Sequence, residues 1–597
     1  MSGIIRIGGR GWLGVALLVA WLAVAMGVRT GVTHGGDEGE AGSEGRKYRQ
    51  PIAVAMDGAE QQLLVANRKA GSVSVFDWTT RQLVGEFPVG QLLSDLVRID
   101  DSRFLVTDEA GHALILLDAA GDQVREVARI TVPTAPVGVV VGPGGKSCWV
   151  ASLWARQLTR VEVTGDGLRL DRVIDLPFAP RKQLVLPQEK RLIVADSFGG
   201  RLGVVDLEEA RLMHVRSFPA HNIRGLGVSS DGKMLVIAHQ MLNELAHSVQ
   251  NDVHWGLLIS NDLRWLKLTA VLSAEDDLYA DAHMHPLGHA GSATGDPAGL
   301  VVTGDGTVVV ALGGVGEIAM GREHDFSMTR YPVGKRPTGM VTTHDGRWLV
   351  VANTFGDSLS VYDLKTRQGE DPIALGPVPK LTLEERGEQV FYDARLSHDA
   401  WMSCHSCHTD GHTNGLSNDN LSDASFGAPK RVLSLLGNVD TAPFAWDASA
   451  PSLEQQIRNS IQKTMQSDRA PRAEDVRAIA AFLGTLKTPP SIDAARGLAD
   501  DGSAERGKAV FATLGCVRCH TPPIYTSAQT YNVDLVDELG RKEFNPPSLR
   551  GVSQRAPYFH DNRAATLEAV LREFGHQLPP QATDEQLRDL LAFLRRL

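Results

Sequence analysis

Two copies of one five-residue motif, C-x-x-C-H, carry the clearest chemistry in this chain. They occupy residues 404–408 and 516–520. C-x-x-C-H is the attachment site for c-type haem, since its two thiols add to the vinyl groups of the porphyrin and its histidine then lies under the ring as an iron ligand. The sequence therefore predicts two covalent haems. The thiols are Cys404, Cys407, Cys516 and Cys519, and the iron ligands are His408 and His520.

Two other uses of paired cysteines stay open at this point. A thioredoxin-like dithiol needs a strand–helix context, and a structural zinc site needs two more cysteine or histidine ligands nearby. Neither use explains the histidine that ends both motifs. The fifth cysteine, Cys148, stands in an apolar, strand-like run and is expected to be a buried structural thiol.

The size and charge of the chain limit its class. With 597 residues it exceeds a single hydrophobic core, so several domains are expected. Its 43% hydrophobic and 22% charged residues are typical of a globular protein. A formal net charge of −11 argues against nucleic acid as a partner and is compatible with a small, basic redox protein.

The first 28 residues are expected to direct export. Arg6 and Arg10 precede an apolar run over residues 12–28, in which Ala-Val-Ala at residues 23–25 supplies a cleavage pattern. The run is short for a membrane span, so a signal peptide is favoured over an uncleaved membrane anchor. Since c-type haem is attached outside the cytoplasmic membrane, a periplasmic location agrees with both signals. Residues 29–50 are polar and rich in Gly and Glu, which indicates a linker.

Between residues 51 and 373 one strand–turn–strand pattern recurs. Copies of its apolar strand lie roughly 40 residues apart, with one gap of about 74. They are residues 63–67, 104–108, 148–152, 192–196, 234–238, 308–311 and 348–353. A period of this length made only of short strands predicts propeller blades, and seven copies predict seven blades. The pattern resembles the YVTN/lactonase-like propellers, a resemblance that implies fold and not activity.

The long gap predicts an insertion at about residues 241–299, between the fifth and sixth blades. It is rich in histidine. Three roles are open for these side chains: binding copper or zinc, contacting the C-terminal half, or simply forming a polar loop. The histidines are His247, His254, His283, His285 and His289.

After the propeller the pattern becomes helical. Pro377 and Pro379 indicate a stiff joint, and two helical units follow, at residues 380–490 and 497–597, each with one haem motif. The expected helices are residues 382–392, 452–465, 473–486, 504–513, 566–574 and 584–597. The predicted fold class is an all-β seven-bladed propeller followed by an all-α tandem cytochrome c region.

The residues around the haem motifs extend this assignment. They include F-Y-D-A-R-L-S at 391–397, F-A-W-D at 444–447 and R-A-P-Y-F-H-D at 555–561. From about residue 381 to the end, the chain resembles the bacterial di-haem cytochrome c peroxidases, a family that includes the di-haem protein of methylamine utilisation. The resemblance implies that peroxide reacts at the first haem and that the second receives electrons from a redox partner. It also implies that Trp446 lies between the haems and relays electrons; the less favoured alternative is a core tryptophan.

The chain departs from the family pattern at several positions. Thr464 stands where the family has an acid–base glutamate, and the nearby Gln462 cannot take a proton. The loop at residues 416–432 has no histidine, and His412 lies too close to the motif to replace it, so the first iron is expected to be open.

The second haem is atypical as well. The position of the family's distal ligand is occupied by Phe574, which leaves His576 as the nearby candidate. His560 is expected to form a hydrogen bond rather than to bind iron. Lys430 and Arg431 replace an Arg-Asn pair at the family's calcium site, and their charge argues against calcium.

The sequence therefore predicts a periplasmic di-haem c-type oxidoreductase that reduces hydrogen peroxide or a related oxidant at the first haem. Two rival functions stay open. One is an electron-transfer protein whose propeller docks a redox partner. The other is a high-valent di-haem enzyme that oxidises a protein or a small molecule. Lactonase-like catalysis is disfavoured, because no convergent acidic cluster is visible in the propeller.

Overall fold

The computed structural model describes residues 48–325, 327–421 and 424–597. The predicted export signal and nearly all of the linker lie outside the described residues. The described residues belong to one compact unit. Among the described residues, no helix is both long enough and apolar enough to span a membrane.

Seven antiparallel sheets, each built from consecutive strands, form the blades in the described part of the chain. Blades one to three comprise Pro51–Met56, Gln62–Asn67, Ser72–Asp77 and Leu83–Pro88; Leu93–Arg98, Arg103–Asp108, Ala113–Ala120 and Gln123–Thr131; and Pro136–Val141, Ser147–Ser152, Gln157–Thr164 and Gly167–Asp175. Blades four and five comprise Pro180–Leu186, Arg191–Asp196, Arg201–Asp206 and Arg211–Ser217; and His221–Val228, Met234–Leu242, Ile259–Lys267 and His283–Pro286. Blades six and seven comprise Pro297–Val302, Thr307–Leu312, Glu317–Arg322 and Thr329–Pro332; and Pro337–Thr342, Trp348–Asn353, Ser358–Asp363, Gln368–Gly369 and Ile373–Ala374.

The second strand of each blade is largely buried, because both of its faces pack against neighbouring blades. Leu63, Val65 and Val350, for example, have no exposed surface. This explains why the recurring apolar run, and not an alternating one, is the repeat visible in the sequence. Cys148 lies in such a strand and is fully buried. The predicted order of a seven-bladed propeller followed by a helical region is confirmed.

The segment at residues 241–299 differs from the single insertion that was predicted. It contains the third and fourth strands of blade five, Ile259–Lys267 and His283–Pro286, so the extra residues form separate loops around them. Charged residues within the third strand, including Asp262 and Arg264, hide its strand character in the sequence.

The ring closes without sharing a strand between its first and last blades. Instead, the Asp357 carboxylate on blade seven accepts hydrogen bonds from the backbone N–H groups of Arg49, at 3.1 Å, and Gln50, at 2.8 Å. The Tyr48 hydroxyl donates to the Phe355 carbonyl at 2.9 Å. Closure at this seam therefore depends on side-chain packing and hydrogen bonds.

The remaining elements are mainly helical. The helices are α1 (Gln250–His254), α2 (Leu268–Leu272), α3 (Leu383–Phe391), α4 (Cys404–Cys407), α5 (Leu453–Asn459), α6 (Ala473–Thr485), α7 (Ile492–Ala495), α8 (Ser503–Thr513), α9 (Leu567–Arg572) and α10 (Asp584–Arg596). Helix α5 continues into a π-helical turn, Ser460–Thr464. Short 3₁₀ turns lie at Pro143–Gly145, Ala394–Leu396, His398–Ala400, Thr409–Gly411, Cys516–Arg518 and Val552–Gln554. Two short strand pairs join Ser417–Asn418 to Lys430–Arg431 and Tyr531–Asn532 to Glu543–Phe544.

Helix α3 lies across the seam of the propeller. The Glu388 carboxylate accepts a hydrogen bond from the Gln50 amide at 2.7 Å, and Gln389 donates to the Tyr48 hydroxyl at 2.9 Å. Glu385 pairs with Lys69 at 2.7 Å. The first helix of the C-terminal helical region thus ties together residues that close the ring.

Each helical unit contains one close helix crossing that a glycine permits. A methyl group added at Gly387 in α3 would overlap the carbonyl oxygen of Ala478 in α6, and one at Gly507 in α8 would overlap that of Asp589 in α10. Both glycines belong to the same local sequence, R-G-x-x-V-F, at residues 386–391 and 506–511. The two units therefore share a packing plan.

We expect Gly387→Ala to destabilise the protein by about 1–3 kcal/mol, because the added methyl group forces the two helices apart. The matched control is Gly484→Ala, at an exposed position in α6 with no atom near the new methyl group. That change should stabilise the helix by about 0.5–1 kcal/mol. Denaturant unfolding measures both. Equal stability of the wild-type and Gly387→Ala proteins would contradict the prediction.

Candidate haem sites and the cavity between them

The first haem motif lies against the propeller. Asp296, just before the first strand of blade six, accepts hydrogen bonds from the hydroxyls of Ser403 and Ser406, at 2.6 Å each. The Ser406 carbonyl lies 2.8 Å from a ring nitrogen of His221 on blade five. Helix α4, which carries both thiols of the motif, is therefore held in place by hydrogen bonds at blades five and six.

His405, which follows the first cysteine of the motif, is held by contacts outside the haem cavity. His405 is buried against the Tyr392 ring, 4.7 Å between centroids, and its Nδ1 accepts the backbone N–H of Asp410 at 2.9 Å. The Asp410 carboxylate binds Arg224 at 2.7 Å and Arg181 at 2.9 Å, both from the propeller. Burial alone would raise the pKa of Asp410, but the two guanidinium groups hold it well below its usual range. This ion-pair cluster fixes the motif to the propeller.

His408 is oriented as an iron ligand. Its Nδ1 lies 2.8 Å from the carbonyl oxygen of Leu433, which makes Nδ1 the protonated nitrogen and leaves Nε2 with a free lone pair. Burial lowers the pKa of His408 to about 4, so the imidazole is neutral at pH 7. A neutral imidazole with its second nitrogen held by a carbonyl is the form that binds metal.

His520 in the second motif has the same arrangement. Its Nδ1 lies 3.2 Å from the carbonyl oxygen of Tyr525, and burial lowers its pKa to about 4. His576 lies close enough to contribute to that shift.

A cavity of about 430 Å³ is lined by both motifs. The structure brings all the residues of the predicted site to its walls. They are Cys404, Cys407, His408, Trp446, Cys516, Cys519, His520 and His576. In the part of the chain that the structure describes, none of the four motif cysteines forms a disulfide. Much of the remaining lining is apolar, as expected for a porphyrin-binding space.

The charges at the cavity fit haem as well. Arg431 and Arg555 are buried side chains of its wall that bond to backbone carbonyls and have no acidic partner among the described residues. Burial lowers the pKa of Arg431 to about 10 and that of Arg555 to about 9. Buried, uncompensated guanidinium groups are costly, and the carboxylates of haem propionates are the anions such a site requires.

The zinc alternative finds no support in the geometry. Within the described ranges, the one group of three or more ligand-type atoms close enough to share a metal ion consists of His254, His398 and Asp399, and it includes no motif cysteine. The motif thiols therefore fit haem attachment better than a compact zinc site.

Trp446 lies where the two helical units meet. Its indole N–H donates to the Arg431 carbonyl at 3.0 Å, and its own carbonyl accepts the backbone N–H of Asn545, from the second unit, at 2.7 Å. Its ring lies edge-on to His560, 6.4 Å between centroids. The indole is thus fixed in the wall shared by both haem motifs.

Helix α5 and its π-helical turn form part of the cavity wall. Gln456, Ser460 and Thr464 line the cavity there, whereas Gln462, named from the sequence, is exposed. The Gln456 side-chain oxygen is buried and has no hydrogen-bond partner within the described residues. Sequence reasoning missed Gln456, although helical spacing from Ser460 would have placed it on the same face.

On the second side, two imidazoles reach the cavity. His576 packs edge-on to Phe559, and its Nδ1 is buried without a hydrogen bond to any described residue. His560 was expected to form a hydrogen bond, but neither of its buried ring nitrogens has a partner there. Phe544 stacks on His560 at 4.2 Å and holds the ring by packing instead. Both side chains are therefore available as ligands.

Two other expectations from the sequence concern His412 as a distal iron ligand and Lys430 at the family's calcium position. Both ring nitrogens of His412 are engaged, with the Ser434 hydroxyl and the Gln554 carbonyl at 3.0 Å each, so His412 has no nitrogen left for iron. The Lys430 ammonium pairs with the buried Asp537 at 3.1 Å, which places a cation at the position considered for calcium.

Four of the five histidines named at residues 241–299 fall into two groups. His247 stacks on Phe426 at 4.8 Å and His254 lies beside His398, so both contact the helical region. His283 and His285 pack around Trp265 within blade five.

Comparison with known proteins agrees with this geometry. Residues 382–492 match the family described as di-haem cytochrome c peroxidase, and residues 504–597 match the cytochrome c family. The cytochrome c551 peroxidase of Nitrosomonas europaea is 27% identical over 38% of this chain and 83% of that protein. The methylamine utilization protein MauG of Methylorubrum extorquens is 28% identical over 43% of this chain and 90% of that protein. A solved structure of Kuenenia stuttgartiensis hydrazine synthase aligns with 54% of this chain and 98% of that chain, at 18% identity and a TM-score of 0.48.

Proposed function

We propose that this chain, whose haem-bearing region belongs to the di-haem cytochrome c peroxidase/MauG family, is an exported oxidoreductase that reduces hydrogen peroxide at the first haem site. Electrons enter from a small redox protein through the second site. The observation that carries this proposal is the cavity lined by both haem motifs and by Trp446. Its shared walls bring the two redox sites close together.

The protein's own residues set the properties of each site. Haem supplies an iron that binds peroxide and exchanges electrons, with a potential that depends on its axial ligands. The Leu433 and Tyr525 carbonyls hold His408 and His520 as neutral imidazoles with one nitrogen free for iron. Arg431 and Arg555 balance the propionate charge within an apolar wall.

Proton supply at the first site is weak. Gln456 offers an amide that hydrogen-bonds peroxide, and Thr464 offers a hydroxyl. No Asp or Glu is found among the described lining residues. General acid–base catalysis by a positioned group contributes about 10²–10⁴-fold. We therefore propose that protons come from water held by Gln456 and that peroxide turnover is slow.

The same feature favours a second candidate function. A site that cleaves peroxide slowly suits the oxidation of a bound target better than peroxide scavenging. In this alternative, electrons leave a protein or small-molecule substrate and enter through the second site. The propeller supplies a surface for such a target.

The test adds stoichiometric hydrogen peroxide to the fully ferric and the half-reduced protein and follows the Soret band and the low-temperature EPR spectrum. Reaction of the half-reduced form with loss of a high-spin signal supports the peroxidase proposal, and reaction of the ferric form supports oxidation of a target. Two low-spin haems that react in neither form would overturn both and leave an electron-transfer role.

We expect Trp446→Phe to slow electron exchange between the haems by at least an order of magnitude, because phenylalanine is far harder to oxidise than the indole it replaces. Stopped-flow oxidation of the second haem after peroxide addition measures this step. Trp154→Phe is the control, since Trp154 is also half-buried but contacts Phe198 and His412 and does not line the cavity. Equal rates of electron exchange between the haems in the two variants would show that Trp446 does not relay electrons.

A further inference from the structure

A second group of metal-ligand side chains lies outside the haem cavity, where a propeller loop meets the segment before the first haem motif. His254 ends α1 in the loop, and His398 and Asp399 begin the 3₁₀ turn His398–Ala400. The His254 Nδ1 atom is 2.7 Å from Asp399 Oδ2 and 3.0 Å from His398 Nε2. His398 Nε2 is 3.4 Å from Asp399 Oδ2. Three potential ligand atoms thus converge from two parts of the fold.

The orientation of His398 is that of a metal-bound imidazole. Its Nδ1 lies 2.7 Å from the Asp468 carboxylate, so Nδ1 carries the proton and Nε2 directs a lone pair toward the group. Carboxylate–histidine pairs of this kind orient the imidazole in metal sites and raise its basicity. Asp399 is also held, because its Oδ2 accepts the backbone N–H of Gly291 at 2.9 Å.

The separations suit one small ion. Metal–ligand bonds of about 2.0–2.1 Å in tetrahedral geometry place ligand atoms about 3.3 Å apart. The observed separations of 2.7, 3.0 and 3.4 Å lie near that value.

The backbone at the site is unusual. Asp399 and Ala400 both have positive φ, at 54° and 65°, a conformation that costs free energy for residues other than glycine. The turn is held by the His398 N–H, which donates to the Met465 carbonyl at 3.0 Å. This conformation places the Asp399 carboxylate beside both imidazoles.

We infer that His254, His398 and Asp399 bind a divalent transition-metal ion, with Zn²⁺ as the ion that best matches the donor set. Two imidazoles and one carboxylate that leave a coordination position open are a familiar protein ligand set for zinc. The side chains are 12–37% exposed, so an ion can enter from solvent. The ion joins a propeller loop to the segment that leads into the first haem motif.

The adjacent contacts give this link a structural role. The Trp401 indole N–H donates to the His254 carbonyl at 3.1 Å, and the next residue, Met402, lines the haem cavity. A metal ion at the group therefore fixes the loop, Trp401 and the entry to the first haem motif as one piece. This inference does not depend on the proposed peroxide chemistry.

The experiment uses untagged protein carrying both haems, stripped with a chelator and then titrated with ZnSO₄. We expect one Zn²⁺ per two haems by elemental analysis and calorimetry, and a rise in Tm. X-ray absorption at the zinc edge should show two nitrogen ligands and one carboxylate oxygen from the protein. His254→Gln should abolish stoichiometric binding. Asp468→Asn should weaken it by about 10–100-fold, since Asp468 acts only through His398.

The control is His289→Gln, an exposed histidine of a neighbouring loop, which should bind zinc like the wild type. Parallel titrations with Cu²⁺ and with anaerobic Fe²⁺ name the preferred ion, and stoichiometric binding of either that is lost in His254→Gln supports the site. No stoichiometric binding of any ion, or binding unchanged in His254→Gln, would leave a hydrogen-bonded cluster only and overturn the inference.

Discussion

Cys404→Ser/Cys407→Ser protein is expected to carry one covalent haem instead of two and to lose peroxide-dependent oxidation of its electron donor. Both thiols of the first motif lie on α4 in the cavity wall, and without them a porphyrin has no covalent link at that site. The proposed peroxide-reactive position is lost with it, because that proposal places peroxide at the first site, in the cavity that Gln456 and Thr464 line. Mass spectrometry counts the haems, and donor oxidation under steady-state peroxide measures activity.

The matched variant is Cys516→Ser/Cys519→Ser, which removes the corresponding thiols of the second site. It should also carry one haem, but it should still react with peroxide in a single turnover while failing to turn over with the donor. The comparison therefore shows which site reacts with peroxide and which accepts electrons from the donor, in addition to counting the haems. Loss of the single-turnover reaction in the second variant and its retention in the first would reverse the assignment.

Thr464→Glu is expected to raise the rate of peroxide cleavage by about 10²-fold, the lower end of the contribution from a positioned general acid–base group. Thr464 lines the cavity at the end of the π-helical turn, and no described carboxylate lines the cavity. A carboxyl group introduced there can take a proton from one peroxide oxygen and return it to the other. The second-order rate constant for peroxide, measured by stopped flow, reports the change.

Thr464→Gln is the control, because glutamine has nearly the shape of glutamate but cannot transfer a proton. It should react at the wild-type rate within a few-fold. If Thr464→Gln accelerates the reaction as much as Thr464→Glu, the gain comes from shape or water access and the proposed lack of an acid is wrong. A rate unchanged in both variants would mean that proton transfer does not limit cleavage.

The sequence predicted those features whose chemistry is local. A haem motif is complete within five residues, and a propeller repeats a short apolar strand, so both are visible without knowledge of distant contacts. The seven blades and the two helical units followed from such patterns. The repeated R-G-x-x-V-F segments were equally visible in principle, but only the crossing of α3 over α6 explains why Gly387 must be glycine.

Other features depend on residues far apart in the chain and could not be predicted. The trio of His254, His398 and Asp399 joins segments about 140 residues apart, and Asp468 adds a third segment. The sequence named His254 as a candidate ligand but not its partners. Gln456 was missed because a comparison by motif points to Thr464 and its neighbour Gln462, whereas the π-helical turn decides which side chains reach the cavity.

The position of helix α3 across the propeller seam has a consequence for local unfolding. We expect a ring of blades to be least stable where its first and last blades meet. The partial opening that requires the least free energy then begins at this seam. Helix α3 contacts that seam through Glu388 and Gln389, and its last residue, Phe391, lines the haem cavity. Opening of the ring therefore displaces a wall of the first haem site. Amide protons near Tyr48 and those of α3 should exchange with solvent as one cooperative unit, and the lifetime of the closed ring sets how long the first haem site stays intact.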